Sequence, residues 1–145
     1  MVTKDALEAF FVREFPQAQF TIESVGRRSA SICRTVSERD LRPGGTVSGP
    51  TLMELADTAL YVAILGEIGL VALAVTTNLN INFLRKPSPD RNLIAQCRLI
   101  KVGKTLVVGE VSMFSEGDAE PVAHATGTYS IPPARAARPD DEPAG

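Results

Sequence analysis

The chain has 145 residues, is 44% hydrophobic and carries a formal net charge of −2, which fits one globular domain with a core of ordinary size. So small a charge exerts no overall pull on nucleic acid or an anionic membrane, and any anion-binding role has to be local. Lys4, Asp5 and Glu8 interrupt the first apolar residues, so no signal peptide is read, and no run reaches the roughly 18 apolar residues of a membrane span; the expected location is the cytoplasm.

Residues 4–14 place Leu7, Phe10 and Phe11 on one helical face ahead of Pro16, so 1–17 reads as a short N-terminal packing helix. Residues 18–37 are β-like and broken near Gly26, the mark of a strand pair. Cys33 and the later Cys97 stand singly in strand text, without metal or redox spacing, and read as buried thiols. A single histidine makes a His-based zinc site untenable, and no metal is expected.

Residues 41–66, LRPGGTVSGPTLMELADTALYVAILG, run from a glycine-rich turn into an amphipathic helix. Gly44, Gly45 and Gly49 suit irregular backbone, and Pro50 suits a first helical turn, so the helix is expected from Ser48 or Gly49 to about Gly66. Leu52, Leu55, Ala56, Ala59 and Ala63 form its core face. Asp57 stands off the polar side, with Met53, Leu60, Tyr61 and Ile64 at helical spacing, whereas Glu54 shares its side with Thr51 and Thr58 and reads as solvated. A carboxylate among apolar side chains tends to keep its proton longer, which brings it toward the range of general bases. An Asp exposed at the helix edge is the plainer alternative.

Residues 74–84 alternate, with Val75, Thr77, Leu79, Ile81 and Phe83 on one face and Thr76, Asn78, Asn80 and Asn82 on the other, a strand with one buried face ended by Pro87 and Pro89. Strands at 92–102 and 105–114 turn at Gly103 and Lys104, so VGKT is a hairpin turn; a phosphate loop would need glycine at Arg98. After a turn at Glu116, Gly117 and Asp118, the strand 121–131 aligns Ala123, Ala125 and Gly127, small enough for the long helix to approach. His124 falls on its other face and reads as a surface or interface side chain, which disfavours a Ser48/His124 hydrolase; Tyr129 reads as core. Tyr61 is expected to line a pocket beside the helix; Met53 and Ile64 either border the same pocket or pack in the core, the two readings fitting equally well. The tail 132–145 has too little apolar surface to fold. One long helix with strands before it and four antiparallel strands after it implies an α+β domain over 1–131, its sheet curled around the helix, and exposed sheet edges imply a homo-oligomer.

This order resembles the hotdog fold over roughly residues 20–131. Its segments GTVSGPTLMELAD (45–57) and TTNLNINFLRKP (76–87) are similar to those of the PaaI-type acyl-CoA thioesterases, the spacing from Ser48 to Asp57 equalling that from the family's histidine to its catalytic carboxylate. The resemblance implies hydrolysis of a small or medium acyl-CoA to free acid and coenzyme A. Asp57 would activate water or attack the thioester carbonyl, and the Gly49 amide would stabilise the oxyanion. The implied site lies between subunits of a homodimer or a dimer of dimers, with no cofactor beyond the substrate's coenzyme A and no nucleic-acid or membrane partner. Ser48, Tyr61, Thr76, Arg85 and Lys104 are the candidate substrate-binding residues: Ser48 as helix cap, Thr76 holding the water, Arg85 and Lys104 foremost among the basic residues of 85–104 for the coenzyme A phosphates. Ser48 stands where the family usually has His, Pro50 replaces its second Gly, and Arg42 occupies the place of an orienting Asn. These departures leave a second reading, a hotdog module that binds acyl-CoA without turnover; a hydratase or dehydratase is disfavoured because that chemistry usually relies on a well-placed His.

Overall fold

The computed structural model describes residues 1–71 and 73–133. Helix α1 (Lys4–Glu14) begins at Thr3, whose hydroxyl accepts the Ala6 amide hydrogen bond, and buries Leu7, Phe10 and Phe11 as the spacing predicts. Strands β1 (Thr21–Gly26) and β2 (Ser29–Arg34) form a hairpin; a 3-10 turn (Glu38–Asp40) and the small ribbon β3 (Leu41–Arg42) and β4 (Thr46–Val47) follow. The long helix α2 (Gly49–Ile68) precedes β5 (Val75–Phe83), β6 (Leu93–Val102), β7 (Leu106–Ser115) and β8 (Ala123–Ser130). Six strands form one antiparallel sheet in the order β1-β2-β6-β7-β8-β5. α2 lies across one face, chiefly over β2, β6 and β7. This is the expected hotdog architecture, with β1 and β5 at the edges.

The apolar row of α2 drives this packing. Leu55, Ala56, Ala59, Leu60, Ala63 and Ile64 are shut off from solvent, each Leu or Ile contributing about 1.5–3 kcal/mol by burial. Leu60 marks the closest approach: a Cβ on Gly127 would stand 2.5 Å from its Cδ1, and one on Gly109 would stand 2.8 Å from its Cδ2. The small residue expected on β8 is therefore the seat of the helix.

Four sequence expectations are corrected. α2 does not stop near Gly66 but runs to Ile68 and is capped by Gly69, whose φ of +113° suits glycine. Gly66 is buried because Val25 presses on it, a Cβ there falling 2.8 Å from Val25 Cγ1. The simple alternation along β5 fails, because the register with β8 shifts between Thr76 and Asn78. One extra residue, Thr77, turns Thr76 to the same side as Leu79 and Ile81, since Thr76 pairs with Tyr129 and Leu79 with Gly127. As β5 is an edge strand, its expected buried face is only half covered, and Val75 and Phe83 are exposed. Cys33 is only half-buried, on the strand face away from α2, whereas Cys97 is buried and its thiol pushed up to about 12 by that burial. The turn at Gly103 is as expected, its N–H donating to the Leu106 carbonyl at 2.9 Å. Residues 134–145 of the tail lie outside the described residues. No helix among the described residues is long and apolar enough to cross a membrane.

Leu60 is caught between two glycines and cannot retreat, so Gly127→Ala is expected to destabilise the fold by about 1–3 kcal/mol through overpacking. Chemical denaturation checks this; an unchanged midpoint would mean that Leu60 has room to move.

Candidate functional site

A cleft of about 410 Å³ opens beside α2 and is lined by Phe11, Phe15, Phe20, Asp57, Tyr61 and Tyr129, among others. Asp57 is the sole carboxylate on its wall among the described residues. The carboxylate is half-buried and, contrary to expectation, its nearest partners are polar. Thr76 Oγ1 donates to Asp57 Oδ1 at 2.6 Å and the Tyr129 hydroxyl donates to the same oxygen at 2.7 Å. The β5 bulge makes this possible, because it turns Thr76 toward the helix directly beside its register partner Tyr129.

Tyr129 is the residue that reading the sequence missed. It is buried, as a core residue should be, but its hydroxyl also reaches the Asp57 carbonyl at 3.2 Å. Burial pushes that hydroxyl far above its ordinary range and the Asp57 charge adds to the effect, so it stays protonated and donates. The signal was present: Tyr129 shares a strand face with Gly127, the residue chosen to admit the helix.

Much of the rest of the cleft is aromatic. Phe11 meets Phe20 and Tyr61 edge-on at centroid distances of 5.1 and 5.7 Å, Phe15 meets Tyr61 at 5.8 Å, and Tyr61 stacks on Tyr129 at 6.0 Å. Tyr61 thus lines the cleft as expected. Of the two readings left open for Met53 and Ile64, Ile64 takes the core one, whereas Met53 fits neither and points to solvent, because Asp57 lies on the boundary between the covered and open sides of α2.

At the other end of α2 the Gly49 amide has no acceptor among the described residues. Ser48 caps the helix as expected, its Oγ accepting the Thr51 amide at 3.2 Å and donating to Thr51 Oγ1 at 2.8 Å. That hydroxyl belongs to a buried network invisible in the sequence. Thr51 Oγ1 and Arg34 Nη2 donate to Asp40 Oδ1 at 3.2 and 2.6 Å, and the Ser37 amide and hydroxyl donate to Oδ2 at 2.9 and 3.2 Å. The Ser48 amide donates to the Asp40 carbonyl at 2.8 Å. Arg34 also pairs with Glu54 at 2.9 Å, so Glu54 is engaged, not merely solvated, and its neighbour Thr51 is buried. Burial alone would raise the Asp40 carboxyl, but the Ser37 amide and the Arg34 guanidinium outweigh it and hold that carboxyl below the usual range.

The candidates do not all converge within one chain. Gly49 and Asp57 are eight positions apart on α2, roughly 12 Å at the helical rise. Arg85, exposed and paired with Glu120 at 3.5 Å, follows the Phe83 end of β5, near Gly49. Lys104 lies in the β6–β7 turn beyond the opposite end, where Ile131 donates to the Thr105 carbonyl. His124 lies on the sheet face away from α2, within 3.4 Å of Glu110. Among the described residues no group of three or more His, Cys, Asp or Glu side chains is placed to hold a metal.

Residues 44–122 match the family model of the thioesterase superfamily. A crystal structure from Silicibacter sp. TM1040, provisionally described as a thioesterase, is 47% identical over 92% of this chain and 94% of its own, with a TM-score of 0.85. The PaaI protein of the E. coli phenylacetic acid degradation operon is 25% identical over 77% of this chain and 78% of its own, with a TM-score of 0.70. A hypothetical thioesterase from Streptococcus pneumoniae TIGR4, solved with coenzyme A, shares the fold at 22% identity over 90% of this chain and 100% of its own, with a TM-score of 0.75. No curated protein matches the chain.

Because the Asp40 carboxyl is held low, its contribution to stability is complete above the unfolded value near pH 4 and fades as pH falls toward the lower folded value. Asp40→Asn is expected to lose about 3 kcal/mol at pH 7, the low end for a broken buried pair because Glu54 still engages Arg34. Urea denaturation at pH 7 and pH 3 checks this: the gap between wild type and variant should narrow at pH 3, and an equal gap at both would refute the assignment.

Proposed function

The chain belongs to the thioesterase superfamily, and from that premise we propose that it hydrolyses a small or medium acyl-CoA to the free acid and coenzyme A, with Asp57 as general base or nucleophile. The observation that carries this reading is a carboxylate gripped by two hydroxyls on the wall of a cleft with no other carboxylate among the described residues. With Oδ1 held by the two hydroxyls, the carboxylate faces the cleft and can act on a carbonyl carbon or take the proton of an attacking water. Thr76 donates its one hydroxyl hydrogen bond to Asp57 and keeps lone pairs with which to accept a hydrogen bond from that water. The unengaged Gly49 amide, at the positive end of α2, is suited to the oxyanion that develops on the thioester. Collapse of that intermediate expels coenzyme A as the thiolate, which takes up the proton that Asp57 drew from water; where Asp57 attacks directly, water then hydrolyses the acyl-Asp57 anhydride, releasing the acid and supplying that proton.

Some 12 Å of helix between the two groups prevents one chain from applying both to one carbonyl. A second copy resolves this. β5 is an open edge with Val75, Phe83 and Leu84 exposed, and two-fold antiparallel pairing of this strand with itself would set the Asp57 and Lys104 end of one protomer against the Gly49 and Arg85 end of its partner. Arg85 and Lys104 would then flank one intersubunit cleft and be available to the coenzyme A phosphates. Neighbours solved with coenzyme A and with acetyl CoA support the ligand class. The second reading, retention of acyl-CoA without turnover, draws on Arg42, exposed where the family's orienting Asn would stand.

Thiol release from short-chain, medium-chain and aryl acyl-CoAs separates the two readings. Wild type is expected to turn over at least one class, with Asp57→Asn reducing kcat about 10²–10⁴-fold while fold and oligomer persist. Saturable binding with no release by wild type would establish the binding module instead.

A further inference from the structure

Both hydrogen bonds on the Asp57 carboxylate fall on one oxygen. Oδ1 accepts from Thr76 at 2.6 Å and from Tyr129 at 2.7 Å, whereas Oδ2 has no donor among the described residues. An aspartate carboxyl turns readily about its last torsion, so an unrestrained one would offer either oxygen in a broad range of orientations. Here the two donors come from register partners on adjacent strands, Thr76 on β5 and Tyr129 on β8, so their separation is set by the sheet. Tyr129 is itself immobilised: buried, paired with Val107 on its other side, and stacked on Tyr61. Its hydroxyl also reaches the carbonyl of Asp57, tying that turn of α2 to β8.

We propose that Tyr129 is a positioning residue, which together with Thr76 holds Oδ1 of Asp57 and leaves Oδ2 as the oxygen that meets the thioester carbonyl or its attacking water. This rests on the reading of Asp57 as the reactive carboxylate of a thioesterase. The bulge at Thr77 is then part of the device, because without it Thr76 would face away from the helix and a single donor would remain. A tyrosine suits the role because its hydroxyl, kept protonated by burial, never ceases to donate.

The test is steady-state kinetics of Tyr129→Phe, Thr76→Val and Thr76→Ser with the best acyl-CoA, beside Asp57→Asn. Losing one hydrogen bond to a charged group should lower kcat about 10- to 100-fold in Tyr129→Phe with KM within about 2-fold. Thr76→Val should fall comparably, and Thr76→Ser, which restores the hydroxyl, should recover most of the loss. Wild-type kcat in Tyr129→Phe, or a loss confined to KM, would overturn the proposal. Should Tyr129→Phe not fold, 4-fluorophenylalanine at position 129 removes the donor while filling the space of the hydroxyl, and wild-type kcat there overturns it equally. If Asp57→Asn keeps wild-type turnover, the thioesterase reading falls and the clamp with it; if Asp57→Asn is inactive and Tyr129→Phe fully active, only the clamp falls.

Discussion

Leu60 against Gly109 and Gly127 is the contact on which the rest of the molecule depends. With no side chains beneath it, Leu60 sinks onto the sheet and sets the height of α2 above β7 and β8. Asp57 stands three residues back along the helix, about 4.5 Å by the rise, and Tyr129 two residues along the strand from Gly127, about 6.8 Å. At that helix height the long tyrosine side chain just spans to the carboxylate. The polar geometry of the cleft is therefore a consequence of apolar packing, since a bulkier residue at 109 or 127 would lift the helix.

The other end of α2 is held by different physics. Arg34 and Asp40 are both buried, and removing two charges from water is favourable only when their remaining donors and acceptors are matched. Asp40 is fully supplied with donors, whereas Arg34 Nε is left buried without a partner among the described residues, a residual cost. The return on that arrangement is directional, because Ser37, Ser48 and Thr51 are all bound to one carboxylate or its backbone, so the chain can enter the helix in one way only. A helix fixed at its start and at its middle carries the Gly49 amide and the Asp57 carboxylate at a constant separation.

The cleft itself owes much to residues outside the matched family segment. Phe11, Phe15 and Phe20 precede residue 44, where the family match begins, yet they form the wall facing Asp57. Edge-to-face contacts among them and Tyr61, worth about 0.5–1.5 kcal/mol each, bind α1 and the loop after it to the flank of α2. Four of the six phenylalanines lie in the first twenty residues, a concentration that hinted at an aromatic cluster without indicating what it faces.

Local order was legible in the chain itself. Periods of 3.6 and 2, punctuated by Gly and Pro, placed nearly every element; Ser48 and Pro50 marked the start of α2; the offset of Asp57 from the polar face picked out its carboxylate; Gly127 announced the close approach of the helix. Each of these signals is carried by residues a few positions apart, which is the range over which helical and strand periodicity operate. The extra residue at Thr77, the hydroxyl of Tyr129 reaching an aspartate far away in sequence, the burial of Arg34 with Asp40, and the choice of Gly69 over Gly66 as the helix end belong to another range. They depend on which strand lies beside which and how closely the helix is pressed upon them, and those distances exist only once segments remote in the chain have packed together.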